Sequence, residues 1–124
     1  MEEDQKRLQA LSETLQKAQE DLETAVENRQ RLEAQHQENK AVKKEFDGLA
    51  EDAGIYKLVG PVLLKQDKAE AAGAVDARLD YIGKEMARAE TRIKELQEWS
   101  QNKQGEAVQL QQKIQAALQA QAKG

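Results

Sequence analysis

The sequence has little of what most enzymes and globular domains require. Its 124 residues include no cysteine and a single proline, and aromatic residues make up only 3%. Without cysteine the chain has no disulfide framework and no thiol chemistry. With so few large apolar side chains, a core of normal globular size is not predicted. Stability is therefore expected to come from chain length and from partners.

Long apolar runs and basic clusters are also missing. No stretch approaches the roughly 20 apolar residues that span a bilayer. The first residues, Met1-Glu-Glu-Asp4, are acidic and are not followed by the apolar run of a signal peptide. The formal net charge is −4, and no basic patch of the kind that binds nucleic-acid phosphates is present. We therefore expect a cytoplasmic protein that binds neither nucleic acid nor a membrane.

Candidate catalytic and metal-binding groups are equally scarce. The single histidine, His36, falls on an apolar stripe, where a packed histidine is far commoner than a base or a ligand. Metal sites need several converging histidines, cysteines or carboxylates, and the acidic residues here fall on solvated helix faces. Gly83-Lys84 is isolated within a helical pattern and is not a phosphate-binding loop. We therefore predict no enzyme activity, no metal and no cofactor.

What the sequence does contain is a seven-residue repeat on each side of its centre. Charged residues make up 34% of the chain, and such a composition with a heptad repeat is typical of long helices or coiled coils. Apolar or small residues recur at alternating steps of three and four, which places them on one helix face. The first stripe comprises Leu8, Leu11, Leu15, Ala18, Leu22, Ala25, Arg29, Leu32, His36 and Asn39, and the second comprises Val75, Leu79, Ile82, Met86, Ala89, Ile93, Leu96, Ser100, Lys103, Ala107, Leu110, Ile114 and Ala117.

The stripes predict a single domain over residues 1–124, built from two helices. The N-terminal helix is expected over 1–49 and to end where Glu51-Asp-Ala-Gly54 interrupts the repeat. Asp67 and Glu70 have the spacing of an N-cap and its N3 partner, which predicts the C-terminal helix over 67–122. The fold class is therefore mainly α, a long antiparallel helical coiled-coil hairpin with one β-hairpin between its helices.

Residues 54–66 are predicted to form that β-hairpin. Strand-forming residues flank Gly60-Pro61, which favours a turn, and Pro61 lacks the amide donor that a central strand needs. A lone hairpin is marginal in water and exposes both edges. It either folds onto its own helices or completes a sheet with other subunits, and we favour the second because narrow helices offer little covering surface. The predicted assembly residues are Ile55, Tyr56, Leu58, Val59, Gly60, Pro61, Val62, Leu63 and Leu64.

The simplest antiparallel pairing of the stripes places Leu8 opposite Ala117 and Phe46 opposite Leu79, centred between Val62 and Leu63. Small and polar residues make the middle of this seam weak. A one-residue phase change after Asn39, to Val42, Phe46 and Leu49, loosens it further. We therefore expect the free helix ends to separate and present an adaptable apolar surface. The predicted contact residues at these ends, called the tip residues below, are Leu8, Leu11, Leu15, Leu110, Ile114 and Leu118.

The centre of the chain also resembles a known family. Tyr56-Lys-Leu-Val-Gly-Pro-Val-Leu-Leu-Lys-Gln66, followed by Ala77-Arg-Leu-Asp-Tyr-Ile82, is similar to the signature of β-type prefoldin subunits, and Arg31-Leu-Glu-Ala-Gln35 resembles their first helix. Leu64 stands where that family is expected to have valine, and Gly83 where it more often has a helix-favouring residue. Neither departure affects the architecture.

The resemblance implies a heterohexameric chaperone in which this chain joins two α-type and three further β-type subunits. The hairpins of such subunits join in a double β-barrel platform, which implies assembly through the hairpin residues. The helix ends hold non-native proteins such as actin and tubulin chains for the cytosolic chaperonin, without nucleotide hydrolysis, which implies client contacts at the tip residues. The alternative is a coiled-coil scaffold or adaptor that oligomerises without chaperone activity.

Overall fold

The structure is a computed structural model, and it describes residues 1–50 and 53–123. In chain order the elements are helix α1, strands β1 and β2, and helix α2. The predicted fold class is confirmed, because two long helices flank one antiparallel two-stranded hairpin. The elements span Glu2–Asp47 (α1), Ile55–Val59 (β1), Val62–Gln66 (β2) and Lys68–Lys123 (α2).

Helix α1 ends at Asp47, two residues before the predicted boundary. The amide of Gly48 donates to the carbonyl of Lys44 at 3.2 Å, and the amide of Leu49 donates to the carbonyl of Phe46 at 3.1 Å. These bonds satisfy carbonyls that the last helical turn would otherwise leave unpaired. Of the segment predicted to break the repeat, Glu51 and Asp52 lie outside the described residues.

Helix α2 begins where its capping residues predict. Its first residue, Lys68, directly follows Asp67, and the amide of Ala71 donates to the Asp67 carbonyl at 2.9 Å. Asp67 therefore occupies the N-cap position, where a short polar acceptor is favoured. Glu70 lies in the first turn, where a negative charge is stabilised by the helix dipole. The helix continues to Lys123, one residue past the predicted end.

Both predicted stripes form the least exposed faces of their helices. Every residue named in the two stripes is buried or half-buried. Even the least exposed of them, Ala18 and Ile82, keep 3% of their surface accessible. The core is therefore a narrow seam, as expected for a coiled coil. None of the described helices has an apolar stretch long enough to cross a membrane.

The chain divides into two compact units, Met1–Glu27 with Ala89–Gly124 (the terminal unit) and Asn28–Arg88 (the hairpin unit). The terminal unit has its own buried seam residues, and the hairpin unit has a separate set. The buried residues are Ala18, Ala89, Leu96, Leu110 and Ile114 in the terminal unit, and Ile55, Ala71 and Ile82 in the hairpin unit.

The predicted pairing between the helices is wrong by about one heptad. In the terminal unit Lys113 Nζ lies 3.4 Å from Asp4 Oδ2, whereas the prediction places Gln121 opposite Asp4. In the hairpin unit Lys68 Nζ donates to the Leu49 carbonyl at 2.9 Å, whereas the prediction places residue 76 there. Each observed partner lies eight residues nearer to β2 than predicted, which is about one heptad. A heptad repeat is unchanged by a shift of seven residues, so its periodicity does not determine which heptads pair.

An ion pair between the two helices of the hairpin unit predicts a measurable pH dependence. Lys43 Nζ lies 2.9 Å from Asp76 Oδ1, and the hydrogen bond and charge of Asp76 raise the pKa of Lys43 above its ordinary 10.5. The pKa of Lys43 is therefore higher in the folded chain than in the unfolded chain, so the ion pair stabilises the fold at neutral pH. This stabilisation is lost as the pH rises through the folded-state pKa.

We expect Lys43→Met to remove that part of the pH dependence. Urea unfolding followed by circular dichroism, at pH 7 and above pH 10.5, should show a smaller alkaline loss of unfolding free energy in the variant. Lys40→Met is the matched control, because Lys40 forms no ion pair with any described residue. An alkaline loss in Lys43→Met as large as in the unmodified chain would contradict a stabilising role for the pair.

Candidate assembly and client-binding surfaces

The hairpin is closed by a tight two-residue turn. The strands pair antiparallel, with Leu58 opposite Leu63 and Val59 opposite Val62. Gly60 has a φ of 60°, which glycine adopts without the steric cost that other residues incur. The ring of Pro61 fixes its own φ at a negative value. This combination defines a type II′ turn, which matches the twist of the two strands.

Both faces of the hairpin are apolar and open to solvent. Tyr56, Leu58 and Leu63 share one face and are 60%, 67% and 63% exposed. The opposite face carries three further apolar side chains, each about half exposed. Of the predicted assembly residues, only Ile55 is buried. The hairpin is therefore not folded down onto its own helices. The second face consists of Val59, Val62 and Leu64, which are 49%, 52% and 52% exposed.

Each strand also has an unused edge. Strands β1 and β2 pair only with each other in the described part of the chain. The outer amide and carbonyl groups of each strand are thus available for hydrogen bonds to another strand. Apolar faces together with free edges are the features that β-augmentation uses, because the backbone supplies affinity and the side chains supply specificity.

The tip residues are less accessible than the sequence predicts for separated helix ends. Leu110 and Ile114 are buried, with 6% and 8% of their surface exposed, whereas Leu118 is 46% exposed. Leu8, Leu11 and Leu15 are half-buried. The helices of the terminal unit are therefore packed together, and most of the predicted apolar surface lies inside the seam.

Three of the tip residues nevertheless share an open depression of about 560 Å³, the tip depression. Leu8, Ile114 and Leu118 supply its apolar lining. Although 34% of the chain is charged, no charged residue lines this depression. Its other residues carry amides or a hydroxyl, which both donate and accept hydrogen bonds. These residues, which the sequence analysis did not identify, are Gln5, Gln9, Ser12, Gln111 and Gln115.

The described residues contain no group of three or more histidine, cysteine or acidic side chains that could hold a metal ion. His36 is half-buried on the seam face of α1.

Comparison with known proteins agrees with these features. The family model described as "Prefoldin subunit" matches residues 9–121. Prefoldin subunit 6 of Mus musculus is 42% identical over 120 residues, covering 97% of this chain and 94% of that protein. Prefoldin subunit 6 of Saccharomyces cerevisiae is 44% identical over 95 residues, covering 77% of this chain and 83% of that protein.

A solved structure has the same fold. The crystal structure of the prefoldin beta subunit from Thermococcus strain KS-1 superposes with a TM-score of 0.76 at 24% identity, covering 82% of this chain and 89% of that one. The resemblance of the hairpin motif and its flanking helices to prefoldin subunits is thus confirmed over residues 9–121, and the fold matches that of a prefoldin beta subunit. The chain belongs to the prefoldin subunit family.

Proposed function

We propose that this chain is one subunit of a hexameric, nucleotide-independent chaperone of the cytosol. It joins two α-type and three further β-type subunits through its hairpin. Its helix ends hold non-native proteins, such as actin and tubulin chains, for delivery to the cytosolic chaperonin. The observation that carries the proposal is the hairpin, whose two faces expose six apolar side chains to between 49% and 67%.

Burial of those side chains supplies the free energy for assembly. Removing apolar surface from water contributes roughly 25 cal/mol per Å², and strand pairing satisfies the free edge groups at the same time. A contiguous exposed apolar surface on a small chain marks an interaction site. Subunits with similar hairpins are suitable partners, because their strands can pair with the free edges and their apolar side chains can cover the exposed faces.

The tip depression accounts for client holding without a fixed sequence requirement. Its apolar lining, Leu8, Ile114 and Leu118, accepts aliphatic or aromatic side chains. The surrounding glutamine amides can bond to either the amide or the carbonyl groups of a peptide backbone. One such contact is weak, but six subunits on one platform act at high effective concentration and raise the avidity.

Native mass spectrometry of the complex purified through this chain tests the proposed assembly. We expect one complex of six subunits that contains several different hairpin-bearing chains. A stable homodimer without other such subunits would instead identify a coiled-coil scaffold. Suppression of aggregation of chemically denatured actin by the purified complex, measured by light scattering, then separates a chaperone from an inert assembly.

We expect Leu118→Gln to weaken client capture by the assembled hexamer roughly two- to threefold. This leucine is the most exposed tip residue. Full burial of a leucine contributes about 1.5–3 kcal/mol. A client buries only part of Leu118, and losing that part of the free energy is enough for a roughly two- to threefold weaker capture. The measurement is the concentration of complex that halves aggregation of denatured actin.

Val108→Gln is the matched control, because Val108 is 52% exposed on the same helix and does not line the tip depression. Hexamer formation should be unchanged in both variants. Equal capture by Leu118→Gln and the unmodified complex would show that the tip depression does not hold the client.

A further inference from the structure

The terminal unit contains a second groove that is separate from the tip depression. It has a volume of about 370 Å³, and its apolar lining is formed by Ala18, Leu96 and Trp99. Ala18 is 3% exposed and Leu96 is 7% exposed. Because alanine is small, its place in the seam leaves space beside it that a leucine would fill. The remaining lining residues are Thr14, Lys17, Asp21, Arg92 and Glu95, and we call the whole site the Trp99 groove.

Trp99 lies in this groove with its ring partly exposed. The side chain is 38% exposed, and Lys103 Nζ lies 5.7 Å from the ring centroid. Lys103 Nζ also lies 3.4 Å from Glu106 Oε2. A cation at this distance attracts the aromatic ring. The indole therefore makes a cation–π contact and keeps part of its surface accessible to a ligand.

The charges around the groove balance. Lys17 Nζ and Asp21 Oδ1 form an ion pair at 3.0 Å. Arg92 and Glu95 add one charge of each sign to the lining. A lining with no net charge does not attract a ligand of either sign over a distance. The ligand that fits such a lining is an uncharged apolar side chain. Residues next to it in the ligand, whether acidic or basic, can pair with an oppositely charged residue of the groove.

The size of the groove argues against a permanent partner. Only eight residues line it, whereas a stable protein–protein interface engages about 20–30 residues on each side. A second copy of this chain or a fixed subunit would need a larger surface. A volume of about 370 Å³ is instead near the lower end of the range for small-ligand pockets. It accommodates one or two side chains of a flexible segment.

We propose that the Trp99 groove is a second client-binding site, occupied by a short apolar segment of a non-native polypeptide. The inference rests on the proposed chaperone function and adds a contact outside the tip depression. Tryptophan is one of the residue types enriched among residues that dominate binding energy. Two weak sites on one subunit raise the avidity for an extended chain that reaches both.

The groove can be tested by fluorescence because Trp99 is the only tryptophan of the chain. The full chain is titrated with a tryptophan-free peptide of leucine, phenylalanine and serine. We expect a saturable blue shift of the emission as the peptide covers the indole. A matched peptide, with serine and glutamine in place of leucine and phenylalanine, should leave the emission unchanged.

Variants locate the binding site independently of the emission. With the same apolar peptide carrying fluorescein, anisotropy should show an affinity about fivefold or more weaker for Trp99→Gln. Val108→Gln, which changes an exposed residue outside the groove, should bind as the unmodified chain does. Anisotropy that reports binding without any shift of Trp99 emission would overturn the proposal, as would an equal shift with the polar peptide.

Three further results separate this proposal from competing ones. An emission that changes with protein concentration alone would identify a second copy as the occupant and overturn the client site. In the hexamer, loss of client capture in Leu118→Gln but not in Trp99→Gln would also overturn it while leaving the chaperone function intact. If the chain never enters a hexamer but still binds the peptide at Trp99, the proposed assembly is wrong and the proposed binding site in the Trp99 groove is supported.

Discussion

Lysine at both Leu58 and Leu63 is expected to abolish hexamer assembly while leaving the helices intact. The two leucines are direct cross-strand partners on one face of the hairpin, and they are 67% and 63% exposed. In the isolated chain, the lysines would remain in water at little cost. In an assembled platform they would place two like charges opposite each other in an apolar contact, which costs several kcal/mol without a counter-charge.

Native mass spectrometry measures the loss of the hexamer, and far-UV circular dichroism checks that helix content is retained. The matched control is a double variant, Val26→Lys with Val108→Lys, which introduces the same two charges at exposed valines of the terminal unit. The control should assemble at the yield of the unmodified chain. A normal yield of hexamer from the Leu58/Leu63 variant would exclude this hairpin face from the assembly interface.

The second large effect is expected for Ile82→Ala, which should reduce the free energy of unfolding by about 2 kcal/mol or more. Ile82 is 3% exposed in the seam of the hairpin unit. Truncating a buried isoleucine to alanine typically costs about 2–5 kcal/mol. Because alanine favours a helix by up to about 0.7 kcal/mol over most residues, we expect a value in the lower part of that range.

The adjacent residue provides the control. Tyr81 is 63% exposed, so Tyr81→Ala should change the free energy of unfolding by no more than about 0.5 kcal/mol. Urea unfolding followed by circular dichroism compares the two variants in the same chain context. Equal losses would mean that the seam does not provide the stability of this part of the chain.

The positions of the seam residues were predictable because a single rule determines them. Alternating steps of three and four place side chains on one helix face, and every residue selected by that spacing is buried or half-buried. The predicted phase change beyond Asn39 is correct only for Phe46, which is half-buried. Val42 and Leu49 remain 37% and 39% exposed, and Leu49 lies beyond the end of α1 at Asp47.

The pairing of the helices was not predictable from the same rule. The connections at the two ends of the hairpin differ, with residues 48–54 before β1 and only Asp67 after β2. Helices joined by unequal connections need not mirror each other about the turn. The predicted centre between Val62 and Leu63 lies past the Gly60-Pro61 turn, which the strand register places at the hairpin tip.

The hairpin surface followed from the sequence, whereas the two depressions of the terminal unit did not. Strand propensity and one Gly-Pro turn are local signals. The tip depression and the Trp99 groove each combine residues from both helices. Trp99 is recognisable in the sequence only as the single tryptophan of the chain, and the space beside it comes from Ala18 on the other helix. Only the correct helix pairing brings these two residues to one site.

The uncovered hairpin has a consequence for how the cell must handle this chain before assembly. An apolar edge strand that lacks a partner is a template for indiscriminate pairing and aggregation. In the part of the chain that the structure describes, both hairpin edges are unpaired and both apolar faces are exposed. A surplus of this subunit over its partners would therefore be a hazard in itself. The exposed hairpin therefore requires either balanced synthesis of the subunits or rapid degradation of unassembled copies. The proposed function, which is to prevent aggregation of other proteins, makes that requirement stricter.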